Sequence, residues 1–295
     1  MSVFDLGDMD GPVLCFGGPY SNAQATEAVL LEAKTRGIPE THVICTGDAV
    51  AYGGDPEKTV DLIRASGIHM VMGNCEEQLG SAADDCNCGF EDGSRCAHWS
   101  DVWFARARTR LDDDARTWMR GIPRQLRFTL YGRRFAVIHG GATDISEYVF
   151  ASTPEAAKVE SFERLNQDGA VDGVIGGHSG LPFTQAIGTK LWHNPGAIGM
   201  PANDGTPRGW YSVLAPDAAP GADNISVSLY PLDYDHAAAR KAADAMSPDL
   251  PYGKTLADGL WPDMSVLPEP ERRQRGRPLV GESVHWPGRR PVAAE

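Results

Sequence analysis

His42-Val43-Ile44-Cys45-Thr46-Gly47-Asp48-Ala49-Val50-Ala51-Tyr52-Gly53 carries an apolar run that ends on a glycine and a carboxylate. A short apolar run bounded in this way reads as a buried strand from His42 to Cys45, which leaves Gly47-Asp48 in the loop at its C-terminal end. The pattern repeats on either side. Upstream, Val13 to Phe16 is a second buried strand, followed by Gly17-Gly18-Pro19-Tyr20-Ser21-Asn22. Between the two, Asn22 caps a helix that runs to about Arg36, where Gly37 stops it. Downstream, Pro56 opens a helix that Gly67 closes, Ile68 to Met72 is a third strand, and Gly73-Asn74-Cys75-Glu76 follows. Strands alternating with helices are the pattern of an α/β fold.

The alternation continues beyond an acidic, cysteine-rich stretch. Two helices are expected between Trp99 and Arg120, the second opened by Asp112, Asp113 and Asp114, whose charge suits a helix N-terminus. Arg124 to Leu130 and Arg134 to Ile138 flank Tyr131-Gly132 as strand, tight turn and strand, and His139-Gly140 comes next. A helix from Pro154 to Gln167 and a strand from Val171 to Ile175 lead into Gly177-His178-Ser179-Gly180. The stretch up to Pro231 is richer in strands, with turns at Gly188 and between Ala202 and Pro207. Beyond Asp235 one alanine-rich helix is expected. The arginine- and proline-rich end of the chain reads as a polar tail or an extension for a protein partner. The expected organisation is one domain over 1–232 with a cysteine-rich insertion at 80–98, then a C-terminal helix and tail over 233–295.

With 295 residues, of which 42% are hydrophobic, the chain can bury a sizeable core. Its net charge of −13 and pI near 5.0 argue against nucleic acid or an anionic membrane surface as the main partner, because neither field would attract it. A small molecule is the simpler partner. The opening residues carry acids where a secretion signal needs a basic and then an apolar stretch, and no segment approaches bilayer length, so a cytoplasmic location is expected. In that reducing compartment the six cysteines are not expected to form disulfides.

Singly, these loop motifs mean little: Asp48 could be a helix cap, and His139 or His178 a core histidine. In order, the segments at 16–22, 47–53, 73–76, 137–140 and 177–180 resemble the calcineurin-like metallophosphoesterase superfamily. That superfamily carries Asp-x-His, Gly-Asp, Gly-Asn-His-Asp/Glu, a lone His before Gly, and Gly-His-x-His. The resemblance spans roughly residues 12 to 215 and implies a four-layer αββα sandwich of two mixed sheets flanked by helices. It also takes in Asn194-Pro195-Gly196, which matches a loop common after the last motif and makes Asn194 a candidate for substrate binding.

In the family two ions share the aspartate of the second motif, here Asp48. The resemblance assigns Asn74, His139 and His178 to one ion with it, and all are present. The ligands that belong only to the other ion fall at Gly18, Tyr20 and Gly180, none of which offers a comparable donor. Random decay would not spare one set whole and remove the other. One divalent ion, Mn, Fe or Zn, is therefore expected. The family's catalytic histidine is replaced by Cys75, beside a retained Glu76, and these two with Tyr20 are the candidates for proton transfer or substrate orientation. The upstream Asp5, Asp8 and Asp10 precede the first strand and so belong at its far end.

Cys86, Cys88, Cys96 and His98 form Cys-x-Cys-x7-Cys-x-His, which reads either as a second site for zinc or iron or as a glycine-rich loop with incidental cysteines. Cys15 and Cys45 fall inside apolar strands and read as core. His42 and His69 have no motif. The resulting expectation is a hydrolase of a small phosphomonoester or phosphodiester. The alternatives are a non-catalytic binder of phosphate or a metabolite, and a thiol-metal or redox protein built on Cys75 and the 86–96 loop.

Overall fold

The computed structural model describes residues 3–217 and 224–287. Its elements in order are β1 Val3–Met9, β2 Val13–Phe16, α1 Ala23–Thr35, β3 Val43–Cys45, α2 Pro56–Ser66, β4 His69–Met70, α3 Asn74–Ser81, α4 Arg95–Arg110, α5 Asp113–Gly121, β5 Gln125–Leu130, β6 Arg133–Val137, α6 Glu155–Leu165, β7 Gly173–Ile175, β8 Phe183–Ile187, β9 Lys190–Asn194, β10 Gly209–Pro216, β11 Asn224–Leu232, α7 His236–Met246, α8 Tyr252–Asp258, α9 Glu269–Arg272 and β12 Ser283–Pro287. Local chemistry sets many boundaries. Asn22 accepts from the Ala25 N–H at the start of α1, Gly67 ends α2 at a left-handed φ of 75°, and Asp112 caps α5 through the Ala115 N–H.

The strands form two six-stranded sheets, ordered β1-β5-β6-β7-β9-β8 and β12-β11-β10-β2-β3-β4. Alternation along each strand builds the layers. Val13, Cys15 and Ile44 face inward and meet Leu126, Phe128, Phe135 and Val137 of the other sheet. Leu14, Phe16, Val43 and Cys45 face outward onto α1 and α2, while Ala136, Ile138 and Val174 face α6. The result is the expected αββα sandwich. A further cluster joins α3, α4, α5, α7 and α8 beside one rim and includes Tyr20, Cys75, Trp103 and Tyr252.

Two segments differ from expectation. Residues 3–9 are a strand, β1, paired parallel with β5, and not a mere lead-in. Being an exposed edge strand, it lacks the apolar alternation that reveals strands, and its register shifts between Asp5 and Asp8 around Gly7. Met9 pairs with Leu130, so Asp8 and Asp10 do lie at the end of the sheet remote from the β6 terminus. The C-terminal stretch up to Pro287 is also not a free tail. α9 docks through Glu271, which accepts from the Ser152 N–H at 3.0 Å and hydroxyl at 2.6 Å. β12 pairs antiparallel with β11 and inserts Trp286 into the inter-sheet core. Isolated buried apolar residues, Leu267 and Trp286, anchor this stretch, which composition does not show. Arg289 and Arg290, part of the expected tail, lie outside the described residues. Among the described residues, no helix is long and apolar enough to cross a membrane.

Candidate metal centre

The loops after β2, β3, β4, β6 and β7 meet at one rim. Gly177 donates to the His139 carbonyl at 2.6 Å, Gly18 to the Gly47 carbonyl at 3.2 Å and Tyr20 to the Asp48 carbonyl at 3.0 Å. Such proximity dictates glycine at two places. A Cβ on Gly47 would stand 2.6 Å from Nδ1 of His139, and one on Gly73 would stand 2.3 Å from Oδ1 of Asp48. Asp48 and His178 themselves adopt left-handed backbone, with φ of 61° and 54°. Non-glycine residues hold that conformation where their surroundings over-determine it.

Glu76 supplies much of that constraint. Its carboxylate accepts from the backbone N–H of Asp48 at 2.8 Å, Ala49 at 2.8 Å and Gly73 at 2.9 Å. Burial and the neighbouring Asp48 push its carboxyl up to about 7, against the pull of these donors.

His139 fixes the sense of the site. Its Nδ1 lies 2.6 Å from the Thr46 carbonyl oxygen, which can only accept, so Nδ1 carries the proton and Nε2 is bare in the neutral ring. Around Nε2 stand Oδ1 of Asn74 at 3.1 Å, Nδ1 of His178 at 3.1 Å and Oδ2 of Asp48 at 3.2 Å. The Asn74 amide nitrogen donates to the Cys86 carbonyl at 2.8 Å, which turns its oxygen inward. Buried lone pairs converging on one point demand positive charge among them. Burial opposes charge on His139, yet Asp48 outweighs it and raises the histidine; burial likewise works to raise Asp48, and His139 outweighs it and lowers the aspartate. Burial and the facing His139 push His178 down to about 3, leaving it neutral with a lone pair to donate. Asp48, His139 and His178 are the only group of acids, imidazoles and thiols among the described residues whose ligand atoms all lie within 4.8 Å of one another. One carboxylate, one amide oxygen and two imidazoles fit a divalent ion of borderline hardness.

The positions of the missing ligands are also brought together, and a side chain fills them. The ring of Tyr20 occupies the space in front of Gly18, and its hydroxyl lies 3.7 Å from where a Cβ on Gly180 would be. Tyr20 is buried, lines the adjoining cavity and keeps its proton, since burial and then Asp48 push it well above its ordinary value.

Three further residues of the motifs surround these ligands. Cys75 is buried beside the metal-site residues, its backbone N–H donating to Oδ1 of Asp48 at 3.3 Å, and burial and then Asp48 raise its thiol far above the ordinary range. Glu76 has its oxygens committed to backbone N–H groups and positions the Asp48 loop. Asn194 is likewise saturated: its amide nitrogen donates to the Gly177 carbonyl and the Ser179 hydroxyl, both at 2.9 Å, and its oxygen accepts from the Gly196 N–H at 2.9 Å. It braces the His178 loop.

The cysteine-rich loop departs from expectation. Cys86 and Cys88 form a disulfide, contrary to the expectation of free thiols, because the left-handed Asn87 between them (φ 47°) turns their Cα atoms to 5.2 Å apart. Disulfide sulfurs carry no thiolate charge, Cys96 is a free thiol near Asp263, and His98 is exposed, so the residues assemble no second zinc or iron shell. The loop instead docks on the site. Besides the Cys86 carbonyl on Asn74, the Cys88 carbonyl accepts from the Tyr148 hydroxyl at 2.8 Å, and the Tyr148 ring lies 4.3 Å from that of His178.

Beside His178 opens a cavity of about 90 Å³. Its walls include Tyr20, Tyr52, Trp99, Tyr148, Tyr252 and Trp261. Sequence reasoning missed all of these but Tyr20, because they come from segments far apart in the chain. Trp261, from the supposed tail, is held by its indole N–H on the Pro201 carbonyl at 2.7 Å and its backbone N–H on Oδ1 of Asn203 at 2.8 Å.

The profile of the calcineurin-like phosphoesterase superfamily domain matches residues 21–216, and the chain belongs to that superfamily. The match begins immediately after Tyr20, so the altered positions Gly18 and Tyr20 stand outside it. An uncharacterized protein of Methanocaldococcus jannaschii is 26% identical over 212 residues, covering 66% of this chain and 79% of that one. The crystal structure of a metallophosphoesterase from Sphaerobacter thermophilus superposes with a TM-score of 0.62 at 20% identity, over 84% of this chain and 99% of that one. A hypothetical protein from Pyrococcus horikoshii OT3 superposes with a TM-score of 0.65 at 15% identity, over 84% of this chain and 98% of its own. These two likenesses establish the fold.

Proposed function

We propose that this chain hydrolyses a small phosphomonoester or phosphodiester with one divalent ion, Mn, Fe or Zn, held by Asp48, Asn74, His139 and His178. The observation that carries the reading is the bare Nε2 of His139 facing two oxygens and a second imidazole nitrogen in a buried space. An ion bound there supplies Lewis-acid polarisation of a phosphoryl oxygen. The chain's own residues orient it: Thr46 fixes the His139 tautomer, Cys86 aims the Asn74 oxygen, and Glu76 holds the Asp48 loop. Tyr20 offers a phenol, protonated at neutral pH, that can donate to a substrate oxygen in the cavity. The size of the cavity supports a small substrate, and its lack of lysine or arginine among the lining residues supports a single phosphoryl group without a polyphosphate chain.

The test is turnover of p-nitrophenyl phosphate and bis-p-nitrophenyl phosphate by protein stripped of metal and reloaded in turn with Mn, Fe and Zn. Metal-dependent hydrolysis that disappears in Asp48→Ala is the expected result. One observation favours the rival reading of a non-catalytic phosphate or metabolite binder: a buried thiol, Cys75, stands where the superfamily motif has its histidine. Phosphate binding without turnover under every metal would establish that rival.

A further inference from the structure

The cavity beside His178 is aromatic on most sides and nearly free of charge. Tyr52, Phe90, Trp99, Tyr148, Tyr252 and Trp261 contribute rings to its lining, together with Tyr20. Among the described residues, Asp263 is the only acid lining it, and no lysine or arginine does. That carboxylate is committed elsewhere, accepting from Nη2 of Arg95 at 2.8 Å and from the Ser265 N–H at 2.7 Å. Aromatic walls favour either a flat apolar ring or a cation. Ring faces alone can attract a cation, but Asp263, the one carboxylate in the described wall, is committed to Arg95, so no charge adds to the rings in favour of one.

A second observation points the same way. The residue that follows Asn74 in the site motif is a buried thiol, Cys75, so no imidazole stands at that position to protonate a leaving alkoxide. A phenol-type leaving group has a pKa near 10, that of a tyrosine side chain, and departs without such help. An alkyl alcohol is far more basic and loses the roughly hundred-fold or greater benefit of general-acid catalysis.

We infer that the cavity is the subsite for the leaving group of the substrate, and that this group is an uncharged aromatic alcohol: the substrate is a small aryl phosphoester. This deepens the phosphoesterase reading and rests on it. In the reaction water attacks phosphorus, the aryl P–O bond breaks, and the phenolate departs into the ring-lined cavity and takes its proton from solvent.

The binding test uses probes that cannot turn over. Titration of the manganese-loaded protein with phenylphosphonate, methylphosphonate and 2-(trimethylammonio)ethylphosphonate, followed by calorimetry, should give a Kd at least tenfold lower for the phenyl compound than for either other. The preference should shrink to about threefold or less in Phe90→Ala and in Trp99→Leu, two half-buried positions at the cavity, with metal content and circular dichroism unchanged. In turnover, phenyl phosphate should exceed ethyl phosphate in kcat/KM by at least a hundredfold. Equal binding of phenyl- and methylphosphonate overturns the aromatic subsite and leaves the phosphoesterase reading standing, as does tightest binding of the trimethylammonio compound. If no phosphonate binds to protein that has retained its ion, both readings fall together.

Discussion

A Cβ atom on Gly18 would lie 2.3 Å from Cζ of Tyr20. The tyrosine therefore does more than fail to replace a ligand: its ring fills the volume in which an aspartate at position 18 would have to extend. Metal stoichiometry follows from this. Gly18→Asp alone should add no second ion and should cost about 1–3 kcal/mol through overpacking. The triple change Gly18→Asp, Tyr20→His, Gly180→His removes the obstruction while adding three donors, and should raise metal content towards two per chain. Elemental analysis of the single and triple variants decides it; a wild-type protein that already holds two ions in this crevice would show that other groups have replaced the missing ligands.

Asp48 is the sole carboxylate whose oxygens face the bare Nε2 of His139. Asp48→Ala leaves two imidazoles and an amide, too little to offset the dehydration of a divalent ion. Metal retention after gel filtration should fall from near one ion per chain to under about a tenth, and Glu76→Gln, which weakens the brace behind Asp48, should fall between the two. If Asp48→Ala keeps its metal, the ion sits elsewhere.

The cysteine loop gives a prediction with a different readout. Cys15, Cys45, Cys75 and Cys96 are free, while Cys86 and Cys88 are joined. Alkylation of denatured protein should count four thiols before reduction and six after it. In the folded state Cys96, the one partly exposed thiol, should react first, at the same rate with or without a chelator. Protection that a chelator relieves would restore a metal to the loop. Replacing both Cys86 and Cys88 by alanine should loosen the carbonyl that aims Asn74 and weaken metal affinity about tenfold.

The parts of this protein that were legible in its sequence are those whose physics is local. Gly47-Asp48 and Gly177-His178 could be placed at strand ends because a short apolar run followed by a glycine marks each loop. Asn22, Gly67 and Asp112 announced helix ends through capping chemistry within a single turn. What escaped depends on residues distant in sequence. The cavity wall unites Tyr20, Phe90, Tyr148 and Trp261, and no periodicity links them. β1 was hidden because an exposed edge strand has no buried face to pattern, and the end of the chain because Leu267 and Trp286 are isolated apolar anchors among polar residues. The change at Cys75 was visible as a substitution, but that it is buried against Asp48 required the packing of α3.

The last prediction concerns His193, which lies between the two sheets. Its Nδ1 is 2.9 Å from Oγ1 of Thr184 on β8, and its Nε2 is 2.7 Å from Oγ of Ser212 on β10 in the opposite sheet. Burial pushes its pKa down to about 3, against about 6.5 for an unfolded histidine. Between those values the unfolded chain binds a proton that the folded chain refuses. Stability from this residue is thus complete above about pH 6.5 and declines as pH falls towards 3. By pH 5 the loss should be about 2 kcal/mol from His193 alone. Urea unfolding at pH 7 and pH 5 isolates it by comparison with His193→Gln, which cannot titrate. The variant should be less stable at pH 7, for want of one of the two hydroxyl contacts, and should close about 2 kcal/mol of that gap by pH 5. A gap that stays constant with pH would mean that His193 protonates as readily in the folded protein as in the unfolded chain, and that the two hydroxyls accommodate its charge.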